Sequence, residues 1–195
     1  CAFSLDPARV AADPVPGMPF HGGTFARAIA LDRSGAFLYA ANQDSGNVSA
    51  FAIDAVTGAL TPVTGSPFAA GTEPYAVTTD GAGRYVYVAN SGSDNVSAYR
   101  IDMASGALAP VPGSPFAAPD RPWAIAADPT GKYLYVAAVG LQAYRIDPAS
   151  GALTATSGGS VTVGGSGTGS LTLTGTLADI NAYLAAAASQ PSFVP

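Results

Sequence analysis

Short segments rich in aromatic and β-branched residues recur along the chain, and turns containing Gly, Asn or Asp separate them. In one stretch, Arg84 to Asn90 reads RYVYVAN and Asn95 to Asp102 reads NVSAYRID, and both patterns are typical of β-strands. The apolar segment Tyr75 to Asp80 precedes them, and the segment Ala107 to Phe116 follows them. Because proline cannot donate to a strand ladder, the prolines of that last segment predict an outer edge strand.

This group of four strands recurs along the chain. A motif within its third strand begins at Cys1 (CAFSLD), Ser49 (SAFAID), Ser97 (SAYRID) and Gln142 (QAYRID), at intervals of 48, 48 and 45 residues. The shorter interval arises where NSGSDNVS is replaced by AVGLQ, which places the deletion in a loop. One sheet cannot bury its faces alone, whereas sheets stacked around an axis can. The sequence therefore predicts an all-β fold, a β-propeller of four-stranded antiparallel blades with three full repeats plus a partial one.

The end of the chain lacks this repeat. SVTVGG and SLTLTGT alternate with period two around GSGTG, which predicts a β-hairpin. The following LADINAYLAAAAS has apolar residues at helical spacing and predicts a short helix. We therefore predict a propeller domain at residues 1–157 and a C-terminal hairpin with a short helix at residues 158–195, which closes or links the propeller.

The partial copy at the start contains only a third and a fourth strand, CAFSLD and ADPVPGMPF. Unpaired strand edges readily pair with other strands. Either the C-terminal hairpin completes this blade within the chain, or it pairs with the exposed strands of the next subunit. The pattern thus predicts self-association through open blade edges.

Composition excludes several classes of protein. The chain has 195 residues, a net charge of −5 and only 8 Lys and Arg residues, so it offers no basic surface for nucleic acid. Its longest apolar run, YLYVAAVGL, is too short for a transmembrane segment. Cys1 is the only cysteine, which excludes an internal disulfide. Lipidation of Cys1 is an alternative that the strand pattern of CAFSLD disfavours.

The residues that usually carry catalysis are scarce or repetitive. Asp32, Asp80 and Asp128 recur before the same turn, where Asp side chains commonly bind backbone N–H groups. His21 is the only histidine, and no GxSxG motif is present. The sequence therefore lacks the residue combinations that nucleophilic catalysis and zinc binding require. We expect no catalytic residues, no metal site and no cofactor.

The informative positions are those where the repeats differ. Before each innermost strand the three copies read Phe25-Ala26-Arg27, Glu73-Pro74-Tyr75 and Arg121-Pro122-Trp123. These positions predict two rings of side chains at one end of the propeller axis, here called the mouth. One ring contains Arg27, Tyr75 and Trp123, and the other contains Phe25, Glu73 and Arg121. Aromatic and Arg side chains are common anchors of binding surfaces. The mouth is therefore the candidate ligand-binding site, although Tyr75 and Trp123 could instead wedge between blades.

Three motifs carry a family resemblance: YAAN at Tyr39 to Asn42, YVAN at Tyr87 to Asn90 and YVAA at Tyr135 to Ala138. With NVSAYRID and PGSPFAA they resemble the YVTN-type seven-bladed β-propellers, relatives of the lactonase-like propellers, over residues 1–155. This resemblance implies the propeller fold, in a family with secreted and surface proteins and some lactone hydrolases. The stretch GTGSLTLTGTLADINAYLA resembles the cadherin-like and Ig-like repeats of large bacterial surface adhesins.

From these features we expect a non-catalytic structural or interaction module, extracellular or on a bacterial cell surface, that assembles head to tail into fibres. Its partners would be further copies of itself and a surface glycan or protein. One alternative is a propeller that binds a small ligand or glycan at the mouth. A second alternative is a fragment of a lactonase-like hydrolase.

Overall fold

The computed structural model describes residues 3–6, 11–17, 19–156, 162–164 and 172–174. The chain divides into two compact units, Cys1–Thr154 and Ala155–Pro195. All the elements described are strands. The first unit opens with β1 (Phe3–Asp6) and β2 (Ala11–Pro14), which pair antiparallel with Phe3 opposite Pro14. They correspond to the third and fourth strands predicted for the partial copy.

Three complete blades follow. Blade 1 contains β3 (Ala26–Leu31), β4 (Phe37–Asn42), β5 (Asn47–Ile53), β6 (Leu60–Pro62) and β7 (Phe68–Ala69). Blade 2 contains β8 (Pro74–Thr79), β9 (Tyr85–Asn90), β10 (Asn95–Ile101), β11 (Leu108–Pro110) and β12 (Phe116–Ala117). Blade 3 contains β13 (Ala124–Ala127), β14 (Tyr133–Ala138), β15 (Gly140–Ile146) and β16 (Leu153–Ala155). Within each blade, the first four strands are neighbours in chain order, and the short β7 and β12 pair with β5 and β10. The predicted all-β propeller of antiparallel four-stranded blades is confirmed.

The proline-rich segments form the outermost strands, as their sequence predicts. In blade 1 this strand is divided, because β6 and β7 both pair with β5 and a turn at residues 63–66 separates them. At this interruption the Ala50 N–H donates to Ser66 Oγ at 2.9 Å. The same bond joins Ala98 N–H to Ser114 Oγ at 2.9 Å in blade 2. A serine hydroxyl thus takes the place of a ladder carbonyl where the proline segment bends away.

The core lies between the blades. Every residue of β9 is buried. Val86 and Val88 belong to the cluster shared with blade 1, whereas Tyr85 and Tyr87 belong to the cluster shared with blade 3. This division follows from the alternation of side chains along a strand. The burial of this strand at every position is therefore explained by a blade on each side.

A tyrosine hydroxyl ties each pair of complete blades together. The Tyr39 hydroxyl donates to the Gly106 carbonyl at 3.1 Å, and the Tyr87 hydroxyl donates to the Gly151 carbonyl at 3.0 Å. The rings of both tyrosines are fully buried. Tyr135 occupies the equivalent position in blade 3 and is 39% exposed.

The asparagine of the YAAN and YVAN motifs is structural. In blade 1, Asn42 Nδ2 donates to Asn47 Oδ1 at 2.8 Å and to Ser49 Oγ at 2.9 Å. Asn90, Asn95 and Ser97 repeat the network at the same distances in blade 2. Blade 3 has Ala138, Gly140 and Gln142 at these positions. The network therefore stabilises the loop between β4 and β5 and the loop between β9 and β10. It is not formed in blade 3, where the equivalent loop is shorter.

The second unit contains the predicted hairpin. Strand β17 (Thr162–Gly164) pairs antiparallel with β18 (Thr172–Thr174), and Val163 lies opposite Leu173. The predicted short helix lies outside the described residues.

Candidate functional site

The innermost strands β3, β8 and β13 lie side by side, because β8 contacts both of the others. Just before each of them, one residue has a left-handed backbone: Phe25 at φ 57°, Glu73 at φ 52° and Arg121 at φ 52°. Left-handed conformations are strained for residues other than glycine and concentrate at functional sites. Their recurrence at equivalent positions marks this end of the inner strands, the mouth, as the candidate site.

Hydrogen bonds hold these backbones in place. The Phe25 carbonyl accepts from the Gln43 N–H at 2.9 Å, and the Glu73 carbonyl accepts from the Ser91 N–H at 2.9 Å. A bulge follows at once, between Ala26 and Ala28 in blade 1 and between Pro74 and Ala76 in blade 2. The extra residue of each bulge is Arg27 or Tyr75. A bulge redirects a side chain out of the regular alternation.

The structure brings Arg27 and Tyr75 together, as their common ring position predicts. The Arg27 guanidinium carbon lies 4.1 Å from the Tyr75 ring centroid, and Arg27 Nη2 donates to the Tyr75 hydroxyl. The same guanidinium lies 5.9 Å from the ring of Phe25. Tyr75 therefore binds Arg27 of the neighbouring blade instead of being buried between blades.

The third copy contributes an exposed aromatic and a cation. Trp123 is 49% exposed, and its backbone N–H donates to the Ala137 carbonyl at 3.0 Å. The Arg121 backbone N–H donates to Asp94 Oδ1 at 2.7 Å, and Asp94 is itself left-handed at φ 50°. All six predicted mouth residues thus stand at the starts of three adjacent strands. Their role in binding stays a prediction.

A groove of about 680 Å³ opens between blades 1 and 2 at the mouth. Its lining includes Gln43, Asp44, Ser45, Thr72, Glu73 and Ser93. Of the six residues in the two predicted rings, Glu73 alone belongs to this lining. Asp44, Thr72 and Ser93 were not predicted from the sequence, although the loops at Asp44 and Ser93 are equivalent to the one shortened in the third repeat. That difference between repeats was the available signal.

The recurring aspartates hold turns, as predicted. Asp32 Oδ1 accepts from the Phe37 N–H at 2.8 Å, and Asp128 Oδ1 accepts from the Tyr133 N–H at 2.8 Å. Burial disfavours the charged form of Asp32, but hydrogen bonds from Ser34, Phe37 and Ala36 hold its pKa below the usual value. The Thr130 hydroxyl and the Tyr133 N–H lower the pKa of Asp128.

Asp54, Asp102 and Asp147 close a second turn in the same way. Asp54 Oδ1 accepts from the Thr57 N–H at 2.8 Å, and this bond is the first cause of its lowered pKa. Backbone N–H groups likewise lower the pKa of Asp102 and Asp147. Hydrogen bonds within the turns occupy these carboxylates, which are therefore poor candidates for catalytic groups.

Within the described ranges, no group of three or more His, Cys, Asp or Glu side chains could hold a metal ion. His21 is exposed. In the same part of the chain, no helix has the length and apolarity needed to cross a bilayer.

A family of known proteins matches this chain. The model of the family described as Lactonase, 7-bladed beta-propeller, matches residues 2–79 and 65–168. The chain belongs to this lactonase family of seven-bladed β-propellers. Among curated proteins, none matches the chain.

Solved structures show the same fold at low sequence identity. A candidate 6-phosphogluconolactonase from Bacteroides uniformis is 22% identical with a TM-score of 0.71, and the match covers 80% of this chain and 46% of that one. A second, from Bacteroides fragilis, is 24% identical with a TM-score of 0.68 and the same coverages. The periplasmic gluconolactonase of Pseudomonas aeruginosa is 22% identical with a TM-score of 0.66, and the match covers 76% and 44%. This chain therefore spans less than half the length of these proteins.

The family match corrects two expectations. The chain was expected to be a non-catalytic surface module that forms fibres and to have no enzymatic activity, and membership of a lactonase family contradicts both. The expectation was wrong because it required a nucleophile, a histidine or a metal. A lactone already contains a reactive ester, so a positioned base and a stabilised oxyanion can suffice for hydrolysis. The adhesin resemblance of residues 158–195 receives no support from the comparisons.

Proposed function

We propose that this chain is part of a lactone-hydrolysing propeller and that the reaction takes place at the mouth. The observation that carries the proposal is the left-handed backbone of Glu73, which sets a carboxylate where the mouth and the groove meet. Membership of the lactonase family supports it. Glu73 is the only acid in the two rings, and Arg27 and Arg121 are their cations.

The proposed reaction adds water to the lactone carbonyl. The Glu73 carboxylate takes a proton from that water as the new C–O bond forms. An arginine at the mouth stabilises the charge that develops on the carbonyl oxygen. The ring C–O bond then breaks, and the proton held by Glu73 passes to the departing ring oxygen. The product is a hydroxy acid, so one water is consumed and no redox partner is needed.

The substrate class that we propose is a sugar lactone. The neighbours with the same fold are named for 6-phosphogluconolactone or gluconolactone hydrolysis. A polar groove next to the mouth is suitable for the hydroxyl groups of such a substrate, because Thr72 and Ser93 lie in its lining. The exposed Trp123 offers an aromatic face of the kind that commonly anchors ligands.

Three variants test this function with glucono-δ-lactone as substrate. Glu73→Gln keeps the shape of the side chain and removes the base, so we expect kcat to fall by about 100-fold or more. Arg121→Ala should lower kcat by about 10-fold or more, because a cation is lost from the mouth. Arg100→Ala is the control, since Arg100 is an exposed arginine at the far end of β10. Full activity of Glu73→Gln would exclude Glu73 as the base.

A further inference from the structure

We infer that the groove between blades 1 and 2 selects an uncharged, hydroxyl-bearing substituent and rejects a phosphorylated one. The inference rests on the proposed function and specifies its substrate, a neutral sugar lactone in place of a sugar-phosphate lactone. It concerns the groove defined by Gln43, Asp44, Ser45, Thr72, Glu73 and Ser93.

The charge of the groove favours a neutral substituent. The groove has two carboxylates, Asp44 from the loop of blade 1 and Glu73 from blade 2, and both residues are exposed. None of its lining residues within the described chain is a lysine, an arginine or a histidine. A phosphate monoester carries about −1.5 to −2 charges at neutral pH. Placing it between two carboxylates is therefore unfavourable, whereas a hydroxyl group experiences no such repulsion.

The hydrogen-bonding groups of the groove also favour a substituent that bears hydroxyl groups. The lining of the groove carries two exposed acceptors, the carboxylates of Asp44 and Glu73. Acceptors require donors, and a sugar hydroxyl donates one hydrogen bond while still accepting others. A phosphate dianion offers only acceptors, so it cannot satisfy this side of the groove.

The nearby cations lie outside the lining of the groove. The Arg27 guanidinium lies over the Tyr75 ring and donates to the Tyr75 hydroxyl. Arg121 lies just before the innermost strand of blade 3. Neither arginine is part of the groove lining. The cations of the mouth are thus separated from the groove that would receive the substituent.

The test compares glucono-δ-lactone with 6-phosphoglucono-δ-lactone as substrates of the wild-type chain. We expect kcat/KM to favour the neutral lactone by about 10-fold or more at about 20 mM salt. The preference should shrink at about 300 mM salt, because salt screens repulsion between exposed charges. A preference for the phosphorylated lactone at low salt would overturn the inference.

Two variants with the same change in net charge locate the effect. Asp44→Asn removes one carboxylate from the groove and should reduce the preference by about threefold or more. Ala104→Lys changes the net charge equally at an exposed turn beyond the far end of β10, and should leave the preference unchanged. If Asp44→Asn has no effect, or if Ala104→Lys has the same effect, the groove is not the source of selectivity.

Binding distinguishes failure of this inference from failure of the proposed function. If neither lactone is hydrolysed, the proposed function fails, and the fluorescence of Trp123, the only tryptophan, still reports ligand binding at the mouth. Glucose and glucose 6-phosphate are the probes. Stronger binding of glucose supports the selectivity of the groove. Stronger binding of glucose 6-phosphate, or binding of neither sugar, overturns it.

Discussion

The guanidinium carbon of Arg27 lies 4.1 Å from the ring centroid of Tyr75, the residue that occupies the same position one repeat later. The contact joins the innermost strands of blades 1 and 2 at the mouth. It also shows how a repeat can diversify, because two equivalent positions carry side chains that bind each other.

We predict that Arg27 and Tyr75 are energetically coupled. A double-mutant cycle with Arg27→Ala and Tyr75→Ala, followed by urea denaturation, should give a coupling free energy of about 0.5–1 kcal/mol, as expected for an exposed cation–π pair. Tyr75→Phe should retain part of the coupling, because it keeps the ring and loses only the hydroxyl. Purely additive losses of stability would show that the contact does not contribute.

The buried tyrosine between blades gives a second prediction. Tyr87→Phe removes the hydroxyl that donates to the Gly151 carbonyl at 3.0 Å and should lower the free energy of unfolding by about 1–2 kcal/mol. Tyr135→Phe is the matched control at the same repeat position, where the side chain is 39% exposed, and should change stability by less than about 0.5 kcal/mol. Equal effects of the two variants would contradict this account of blade packing.

A stabilising substitution is predicted in blade 2. The Ser34 hydroxyl donates to Asp32 and the Thr130 hydroxyl donates to Asp128, whereas the equivalent residue beside Asp80 is Ala82. Asp80 Oδ2 is buried and has no hydrogen-bond partner in the described part of the chain. Ala82→Ser should supply that donor and raise the free energy of unfolding by about 1 kcal/mol.

Chemical denaturation measures this gain, and Ser34→Ala is the reciprocal control. It should lose a similar amount, because it removes the donor that blade 1 already has. Destabilisation by Ala82→Ser would mean that no hydroxyl can reach Asp80 Oδ2.

Acid should destabilise the fold through the turn aspartates. Hydrogen bonds lower the pKa of Asp54, Asp102, Asp128 and Asp147 below the ordinary 3.8. A lowered folded-state pKa stabilises the protein fully above the unfolded pKa, and this contribution is lost as the pH falls through the folded pKa. The Tm should therefore be steady above about pH 5 and fall steeply below about pH 4. Asp54→Asn should flatten that decline, and an unchanged Tm down to about pH 2.5 would contradict the assignment.

The fold could be predicted from the sequence because strand alternation and repeat register are local signals. Arg84 to Asn90 could be identified as a strand from its own residues, and the repeat showed that it must be covered on both faces. The mouth residues could be identified because Arg27, Tyr75 and Trp123 are where otherwise similar copies differ. The conformation of Glu73 could not be predicted, since a left-handed non-glycine residue has no sequence signature.

The groove was missed for a different reason. Asp44 and Ser93 belong to different blades, and they meet only when two copies of the repeat stack. The lactonase-like class was only the second alternative because a nucleophile, a histidine or a metal was expected, whereas the proposed chemistry needs only Glu73 and an arginine. The groove and this proposed pair both combine residues of different repeats, which a single repeat by itself cannot reveal.

The most direct test of the central claim is the initial rate of acid release from glucono-δ-lactone by the purified chain, followed in a pH-stat near pH 7 and corrected for spontaneous hydrolysis. The account predicts a rate that is proportional to protein concentration, saturates with lactone and falls by about 100-fold or more in Glu73→Gln. A rate equal to that of the buffer alone, or an equal rate for wild type and Glu73→Gln, would contradict it.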